Sequence, residues 1–307
     1  MKASDLMAFL EYPHCKGDQK KTITGISSLA QAKEGNLVFC VKGNEGGLVN
    51  IKNCTVIISK IDVSAFSDKN TYIMVDNPRK IWADLIRKFF YSKEDRIVLS
   101  VPLGIHPTVI YPSYLSFLNK DIEIGPYSYI GREVVVGNSV RIGSYVHIEG
   151  RVLIGNNVSI QPQVTIGVMG MSYERNEAGK LENMPQIGGV VIADDVEIAS
   201  KTNIHRGTLD NTIIGRGSKV SINCNIGHNS VIGKHTFIAG KTNLGGGTRV
   251  GDYCSIGMGV VTLPAVKIGN NVEVGMGSLV TKDIEDGVLA YGVPAKVIRE
   301  VGIKYGE

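Results

Sequence analysis

Residues 214–256 read IGRGSK VSINCN IGHNSV IGKHTF IAGKTN LGGGTR VGDYCS I, and each unit of six opens on Ile, Leu or Val. The same period starts at Ile124 and continues to Val280. It fits neither the period of a helix nor that of a simple strand. It is typical of a solenoid in which each unit forms one short strand and a turn, and three units close a coil. The pattern therefore predicts a left-handed parallel β-helix rather than a β-sandwich or barrel, whose strands recur every 8–12 residues.

The period divides the chain into three parts. Residues 1–100 lack it and show three strand patterns followed by a helix that opens at Pro78, which predicts a small α/β domain. We expect the β-helix over residues 101–281 and a C-terminal cap over residues 282–307. The β-helix has two interruptions, a long polar stretch at 168–185 and a short insertion at 208–213. A loop as long as 168–185 in a compact domain is usually functional or disordered.

Composition excludes several classes of function. The net charge is +4 and dispersed, which is too weak a signal for nucleic-acid binding. The N-terminus lacks the apolar core of a secretory signal, and no apolar run reaches the length of a transmembrane helix. We therefore expect a cytoplasmic protein without a transmembrane segment. The five cysteines are odd in number and lack metal-ligand spacing, so neither a disulfide framework nor a metal site is expected.

The coil period converts sequence positions into neighbours in space. Residues 18 apart occupy the same column on adjacent coils, at about the 4.8 Å strand spacing. His228 and Gly246 are such a pair. An imidazole beside a backbone N–H suits acyl transfer, because the base takes a proton from the nucleophile while the N–H binds the oxyanion. If the insertion at 208–213 bulges outward, His205 lies one coil from His228 and joins the predicted catalytic group.

Three motifs resemble the bacterial UDP-3-O-acylglucosamine N-acyltransferases of lipid A synthesis, the LpxD family. They are PQIG at 185–188, RGTLDNTIIG at 206–215 and NIGHNSVIG at 225–233. The stretch TGISSLAQAKEGNLVFCV at 24–41 is similar to the nucleotide-binding domain of that family. The resemblance implies that His228 is the general base and that Gly246 supplies the oxyanion amide.

The resemblance also implies where the nucleotide sugar is bound. Phe39 matches one of two aromatic rings that hold a uracil in the family, and the second ring falls near Glu45. Ser221 stands where the family often has an acidic residue, so Asn223 or Asp210 is expected to orient the imidazole instead. The expected contacts to the nucleotide or the sugar are Phe39, Val41, Asn44, Tyr173, Gln186 and Asn225.

The C-terminus departs from the LpxD pattern. It lacks that family's helical extension, and the stretch GVPAKVIREVG resembles the cap of coenzyme A-dependent sugar acetyltransferases. That likeness implies contacts from Pro294 to the pantetheine and from Lys296 or Arg299 to the phosphates. The expected donor contacts are Ala239, Gly240, Gly257, Met258, Pro294, Lys296 and Arg299.

We therefore predict a homotrimeric N-acyltransferase that acylates a nucleotide-linked amino sugar for surface polysaccharide or lipopolysaccharide synthesis. A short acyl-CoA, such as acetyl-CoA, is the favoured donor, and no metal is required. The first alternative is the lipid A enzyme itself with an acyl carrier protein donor. The second is a non-catalytic hexapeptide scaffold or a γ-carbonic anhydrase relative, although His205, His228 and His235 lack the spacing of three zinc ligands.

Overall fold

The computed structural model describes residues 1–11, 13–90, 104–113, 121–303 and 305. The chain divides into two compact units, Met1–Val98 and Leu99–Glu307. The start of the predicted β-helix region is described in part, over residues 104–113 and from residue 121. Ile105 pairs with Ile124 and Ile110 with Tyr129, so a degenerate coil precedes the regular ones.

The first unit is a five-stranded sheet whose two α-helices pack in one core cluster, while two short 3-10 helices, Leu29–Gln31 and Glu45–Asn50, contribute to the other. Its strand order is β1-β5-β4-β3-β2, with β1 antiparallel and the others parallel. Buried aliphatic residues cover both faces of the central strands. Pro78 lies at the start of the second helix, after an Asn77 side chain that accepts a hydrogen bond from the Lys80 N–H. The elements are α1 (Ala3–Phe9), β1 (Cys15–Lys16), β2 (Gly25–Ile26), β3 (Asn36–Cys40), β4 (Thr55–Ser59), β5 (Thr71–Val75) and α2 (Pro78–Leu85), which a π-helical turn extends over Ile86–Phe90.

The second unit is a left-handed parallel β-helix, as the period of six predicts. Its strands form three faces, named here in the order in which the chain visits them. Face 1 contains β6 (Ile122–Ile124), β9 (Val140–Ile142), β12 (Ser159–Ile160), β17 (Glu197–Ile198), β20 (Lys219–Val220), β23 (Phe237–Ile238), β26 (Ser255–Ile256), β29 (Glu273–Val274), β31 (Val288–Gly292) and β32 (Ala295–Glu300).

Faces 2 and 3 complete each coil. Face 2 contains β7 (Tyr129–Ile130), β10 (His147–Ile148), β13 (Thr165–Ile166), β18 (Asn203–Ile204), β21 (Asn225–Ile226), β24 (Asn243–Leu244), β27 (Val261–Thr262) and β30 (Leu279–Val280). Face 3 contains β8 (Val134–Val136), β11 (Val152–Ile154), β16 (Val190–Ile192), β19 (Thr212–Ile214), β22 (Val231–Ile232), β25 (Arg249–Val250) and β28 (Lys267–Ile268). The two remaining strands, β14 (Tyr173–Arg175) and β15 (Leu181–Asn183), pair outside the coils.

The core of the β-helix is the stacked aliphatic residue of each unit, and residues such as Ile226 and Ile232 are fully buried. Burial of one such side chain stabilises the fold by about 1.5–3 kcal/mol. Small residues also point inward at the corners, and their hydroxyls bond to backbone carbonyls of the next coil, as Thr236 does to Gly251 at 2.7 Å. Cys224 and Cys254 occupy such corner positions as free thiols, and burial raises the pKa of Cys254 to about 11.

Glycine follows many of the aliphatic residues because adjacent coils approach closely there. A Cβ on Gly227 would lie 2.7 Å from the Gly246 nitrogen, so no side chain fits. The positive φ angles fall two residues later in the unit, for example at Asn229 with φ 60°. Asn is among the few non-glycine residues that adopt this conformation readily.

Candidate active site

His228 lies in the turn between β21 and β22, where face 2 meets face 3. We call the turns after the face 2 strands the open corner. Its third positions, counted from the aliphatic residue, are Arg132, Gly150, Val168, Arg206, His228, Gly246, Pro264 and Lys282. Among the described residues, the backbone N–H groups of His228 and Gly246 donate no hydrogen bond. This corner therefore presents unused donors beside an imidazole.

The orientation of His228 follows from its neighbour Asn229. The Thr208 N–H donates to Asn229 Oδ1 at 2.9 Å, so this atom must be the carbonyl oxygen of the amide. His228 Nδ1 lies 2.9 Å from the same oxygen and must be the donor. The proton on Nδ1 leaves the lone pair on Nε2 free to accept a proton. The contact that the sequence assigned to Asn223 or Asp210 is thus made by Asn229.

Gly246 lies beside Nε2, one coil above His228. A Cβ at residue 246 would lie 2.5 Å from His228 Nε2, which is shorter than any real Cβ contact. The register of the strands gives this placement, because Ile226 pairs with Leu244. The structure thus brings the predicted base and the predicted oxyanion amide together.

His205 lies one coil below, as the sequence predicts, because Asn203 and Ile204 pair with Asn225 and Ile226. Its Nε2 is 3.1 Å from Asn225 Oδ1, while its buried Nδ1 has no partner among the described residues. His205 therefore contacts the predicted sugar-binding Asn225 directly.

The interruption at 168–185 is a β-hairpin, formed by β14 and β15, that leaves the coil after β13. Gln186 is only 2 % exposed, and its side chain bonds to the Gly170 N–H and to the Ser172 hydroxyl. Gln186 was expected to contact the substrate; instead it anchors the base of the hairpin, because both ends of its amide are used. Tyr173 is 45 % exposed on the hairpin itself.

The insertion at 208–213 forms a bulge beside the open corner. Thr208 connects it to Asn229 through its N–H and to Ile187 through its carbonyl. The bulge borders a cleft of about 620 Å³ on face 3. The lining residues are Glu133, Arg151, Leu153, Val190, Leu209, Asp210 and Asn211. Asn229 Oδ1 thus accepts hydrogen bonds both from the Thr208 N–H of the bulge and from His228 Nδ1.

The predicted donor residues lie away from the open corner of the same chain. We call the turns after the face 1 strands the third corner. Ala239, Gly240, Gly257 and Met258 lie there. Asn223, which was predicted to orient His228, lies at the same corner, exposed and with φ 57°. Pro294 lies in the turn between β31 and β32, and Lys296 and Arg299 lie on β32, exposed. The cap is thus a β-hairpin that extends face 1.

In the first unit, Phe39 stacks on Trp82 with ring centroids 4.9 Å apart. Trp82, on α2, is a ring that the sequence analysis did not single out, although its helical spacing from Pro78 was visible. Val41 and Asn44 follow the end of β3, and Asn44 is exposed. The Gly43 N–H donates to the Glu45 carboxylate and helps to lower the pKa of that group.

The part of the chain that the structure describes contains no cluster of His, Cys, Asp and Glu able to hold a metal ion. In the same residues, no helix has the length and apolar character needed to cross a membrane.

The repeats match a known family. The model described as bacterial transferase hexapeptide (six repeats) matches residues 133–167 and 247–282. Among curated proteins, the chain is similar to UDP-3-O-acylglucosamine N-acyltransferases. It is 32 % identical to that of Coxiella burnetii over 67 % of this chain and 63 % of the relative. It is 29 % identical to that of Pseudomonas savastanoi over 67 % and 61 %. The chain thus spans a little under two thirds of the length of these relatives.

Solved structures share the fold. LpxA from Acinetobacter baumannii is 26 % identical, with a TM-score of 0.56 over 64 % of this chain and 74 % of that protein. UDP-N-acetylglucosamine acyltransferase from Campylobacter jejuni is 21 % identical, with a TM-score of 0.56 over 64 % and 75 %. These structures support the β-helix assignment.

Proposed function

Because the chain is an LpxD-like hexapeptide-repeat protein, we propose that it transfers an acyl group from a thioester to the amine of a nucleotide-linked amino sugar. One observation carries the proposal: His228 Nε2, whose lone pair is free when Nδ1 holds the proton, lies beside Gly246, whose N–H donates to no described residue, and a Cβ at residue 246 would fill the gap. The names of the similar proteins support the same chemistry.

The reaction would proceed through a tetrahedral intermediate. The amine nitrogen attacks the thioester carbonyl carbon as its proton passes to His228 Nε2, and the carbonyl oxygen becomes an oxyanion that accepts from the Gly246 N–H. The carbon–sulfur bond then breaks, and the departing sulfur takes the proton from the imidazolium. The products are an amide and a free thiol.

Asn229 acts as a positioning residue in this scheme. Its oxygen keeps the proton on Nδ1, so that Nε2 is always the basic nitrogen. Unlike a carboxylate, a neutral amide adds no charge to stabilise the imidazolium.

The donor is proposed to be a short acyl-CoA, with Lys296 and Arg299 on the cap binding its phosphates. The cap places these exposed cations on one β-hairpin. A second candidate, a fatty acyl chain on acyl carrier protein, is favoured by exposed apolar residues around the third corner, Ile222, Met258 and Met276. Rates with acetyl-CoA and with acyl carrier protein thioesters, measured side by side, decide between the two donors.

The nucleotide is proposed to bind near Phe39, Val41 and Asn44 in the first unit, and the protein is proposed to act as a homotrimer, the usual state of its relatives. A sedimentation mass equal to one chain overturns the trimer.

The central experiment measures turnover of UDP-linked amino sugars by wild type and His228→Ala. Loss of general-base catalysis lowers kcat by about 10²–10⁴-fold. His235→Ala is the matched control, because His235 stacks on Tyr253 in a different corner of the β-helix. A loss below about 10-fold for His228→Ala contradicts the base assignment.

A further inference from the structure

We propose that three stacked asparagines on face 2, Asn203, Asn225 and Asn243, form the strip that binds the sugar of the acceptor. The proposal rests on the proposed acyl transfer. Only Asn225 was singled out by the sequence motifs.

The three residues form one column centred on the catalytic coil. Asn203 pairs with Asn225, and Asn225 pairs with Asn243, in parallel register. The strand of Asn225 leads into the His228 turn, and the strand of Asn243 leads into Gly246. A ligand lying on this column therefore has its next contacts at the base and at the oxyanion amide.

The residue type is unusual for its position. Asn is depleted in strands, where β-branched and aromatic residues are favoured. The outward strand positions of the other two faces hold no Asn among the described residues. Face 3 has Val135, Leu153, Val191, Ile213, Val231, Arg249 and Lys267, and face 1 has Glu123, Arg141, Ser159, Glu197, Lys219, Phe237, Ser255 and Glu273. Three consecutive asparagines at the catalytic coil therefore lower the strand propensity of this column.

Hydrogen bonding separates this column from a purely structural ladder. The side chains of Asn203 and Asn243 are exposed and bond to no described residue. By contrast, Asn156 and Asn270, between faces 3 and 1, accept from backbone N–H groups of the preceding coil. Asn225 alone is held, through its oxygen and His205 Nε2, which leaves its NH2 group free to donate.

The chemistry of the column fits a sugar. Each carboxamide offers donors and an acceptor, and sugar hydroxyls likewise donate and accept, whereas neutral amides provide no charge for a phosphate. The strip ends where the column becomes apolar, at Val261. The sugar ring is therefore placed at the level of His205 to Gly246, with its amine toward His228.

The test replaces Asn203 and Asn243 by Thr, singly and together, and uses Ser255→Thr on face 1 as the matched control. We expect each single change to raise the acceptor KM about 10-fold, the loss of about 1.4 kcal/mol of binding. The kcat and the donor KM should remain within about 3-fold of the wild-type values, a smaller change than the tenfold effect on the acceptor KM. Because Thr favours strands, the Tm should stay level or rise. An unchanged acceptor KM, a lowered Tm without a KM effect, or a change in sedimentation mass overturns the proposal.

A direct measurement of ligand binding distinguishes failure of this proposal from failure of the proposed function. Saturation-transfer NMR with UDP-N-acetylglucosamine and UDP-glucosamine is recorded for wild type and for the double variant. If wild type binds but catalyses no acyl transfer, and the double variant no longer binds through the sugar protons, the strip stands while the acyltransferase function fails. If wild type catalyses transfer and both assays are unchanged in the variants, the strip fails alone. If wild type binds neither probe and does not acylate UDP-glucosamine, both proposals fail.

Discussion

Two corners of the same β-helix differ in whether the backbone N–H groups of their turns are hydrogen-bonded. Many of the turns leave the backbone N–H of their third residue without a partner in their own coil. Between faces 3 and 1, which we call the ladder corner, an Asn or Asp of the next coil accepts from that group. The pairs are Asn138 with Asn156, Asn156 with Asp194, Lys234 with Asp252, Asp252 with Asn270 and Asn270 with Asp286.

At the open corner, the equivalent positions carry His228 and Gly246, and neither N–H is used by described residues. An unpaired N–H costs stability when it is buried, but at the surface it is available to a ligand. The comparison teaches that the ladder corner stabilises the coil, whereas the open corner keeps its donors for chemistry.

Among variants that keep the His228 imidazole, the largest expected effect comes from adding a methyl group at the open corner. In Gly246→Ala, the new Cβ would meet His228 Nε2 at 2.5 Å and displace the imidazole or the strand. We expect this displacement to lower kcat about 10²–10³-fold, as when an oxyanion donor no longer reaches the intermediate. The measurement is kcat at saturating substrates, with thermal melting as the control for folding. Retained activity would show that the open corner is not the reaction site.

The next effect comes from Asn229. In Asn229→Asp, a carboxylate replaces the amide beside His228 Nδ1 and favours the protonated imidazole. The acid limb of the pH–rate profile should therefore move to higher pH. Asn229→Ala removes the tautomer control and should lower kcat about 10-fold, less than loss of the base itself. A pH profile identical to wild type in both variants would remove Asn229 from the mechanism.

A smaller effect is expected when one hydrogen bond of the ladder corner is removed. Asn270→Ala leaves the Asp252 N–H without its acceptor. Loss of one such hydrogen bond costs about 1 kcal/mol of unfolding free energy. The Tm should fall by about 2–4 °C for a domain of this size. Because this corner takes no part in the reaction, kcat should not change; a fall in kcat with an unchanged Tm would reverse the assignment of the two corners.

The smallest effect is a pH dependence of the ladder corner. Hydrogen bonds from the Asn156 N–H and from Arg216 lower the pKa of Asp194. A carboxyl whose pKa is lowered on folding stabilises the protein above its unfolded pKa, and the stabilisation is lost as pH falls through the folded pKa. Urea unfolding at pH 7 and near pH 3 should therefore show a smaller acid loss for Asp194→Asn than for wild type. An equal loss in both proteins would exclude Asp194 as a source of the acid sensitivity.

The sequence predicted the fold and the neighbouring positions of His228 and Gly246 because both depend on the period of six residues. It also predicted that His205 lies one coil from His228, once the insertion was read as a bulge. It wrongly assigned the orientation of the imidazole to Asn223. The period of six does not show which corner of the β-helix holds the site, and Asn223 lies at the third corner, whereas His228 lies at the open corner. The sequence also assigned Gln186 to the substrate, whereas packing of the hairpin base buries that side chain.

The sequence by itself determined the β-helix, its core and the stacking of Gly246 on His228. The reason is that a repeated pattern of inward aliphatic residues leaves only one register that buries them all. Only the tertiary structure decided that Asn229 holds the imidazole, that the bulge is attached to the same oxygen and that Phe39 stacks on Trp82. These contacts join irregular segments far apart in the chain, and their geometry depends on side-chain packing that no period encodes.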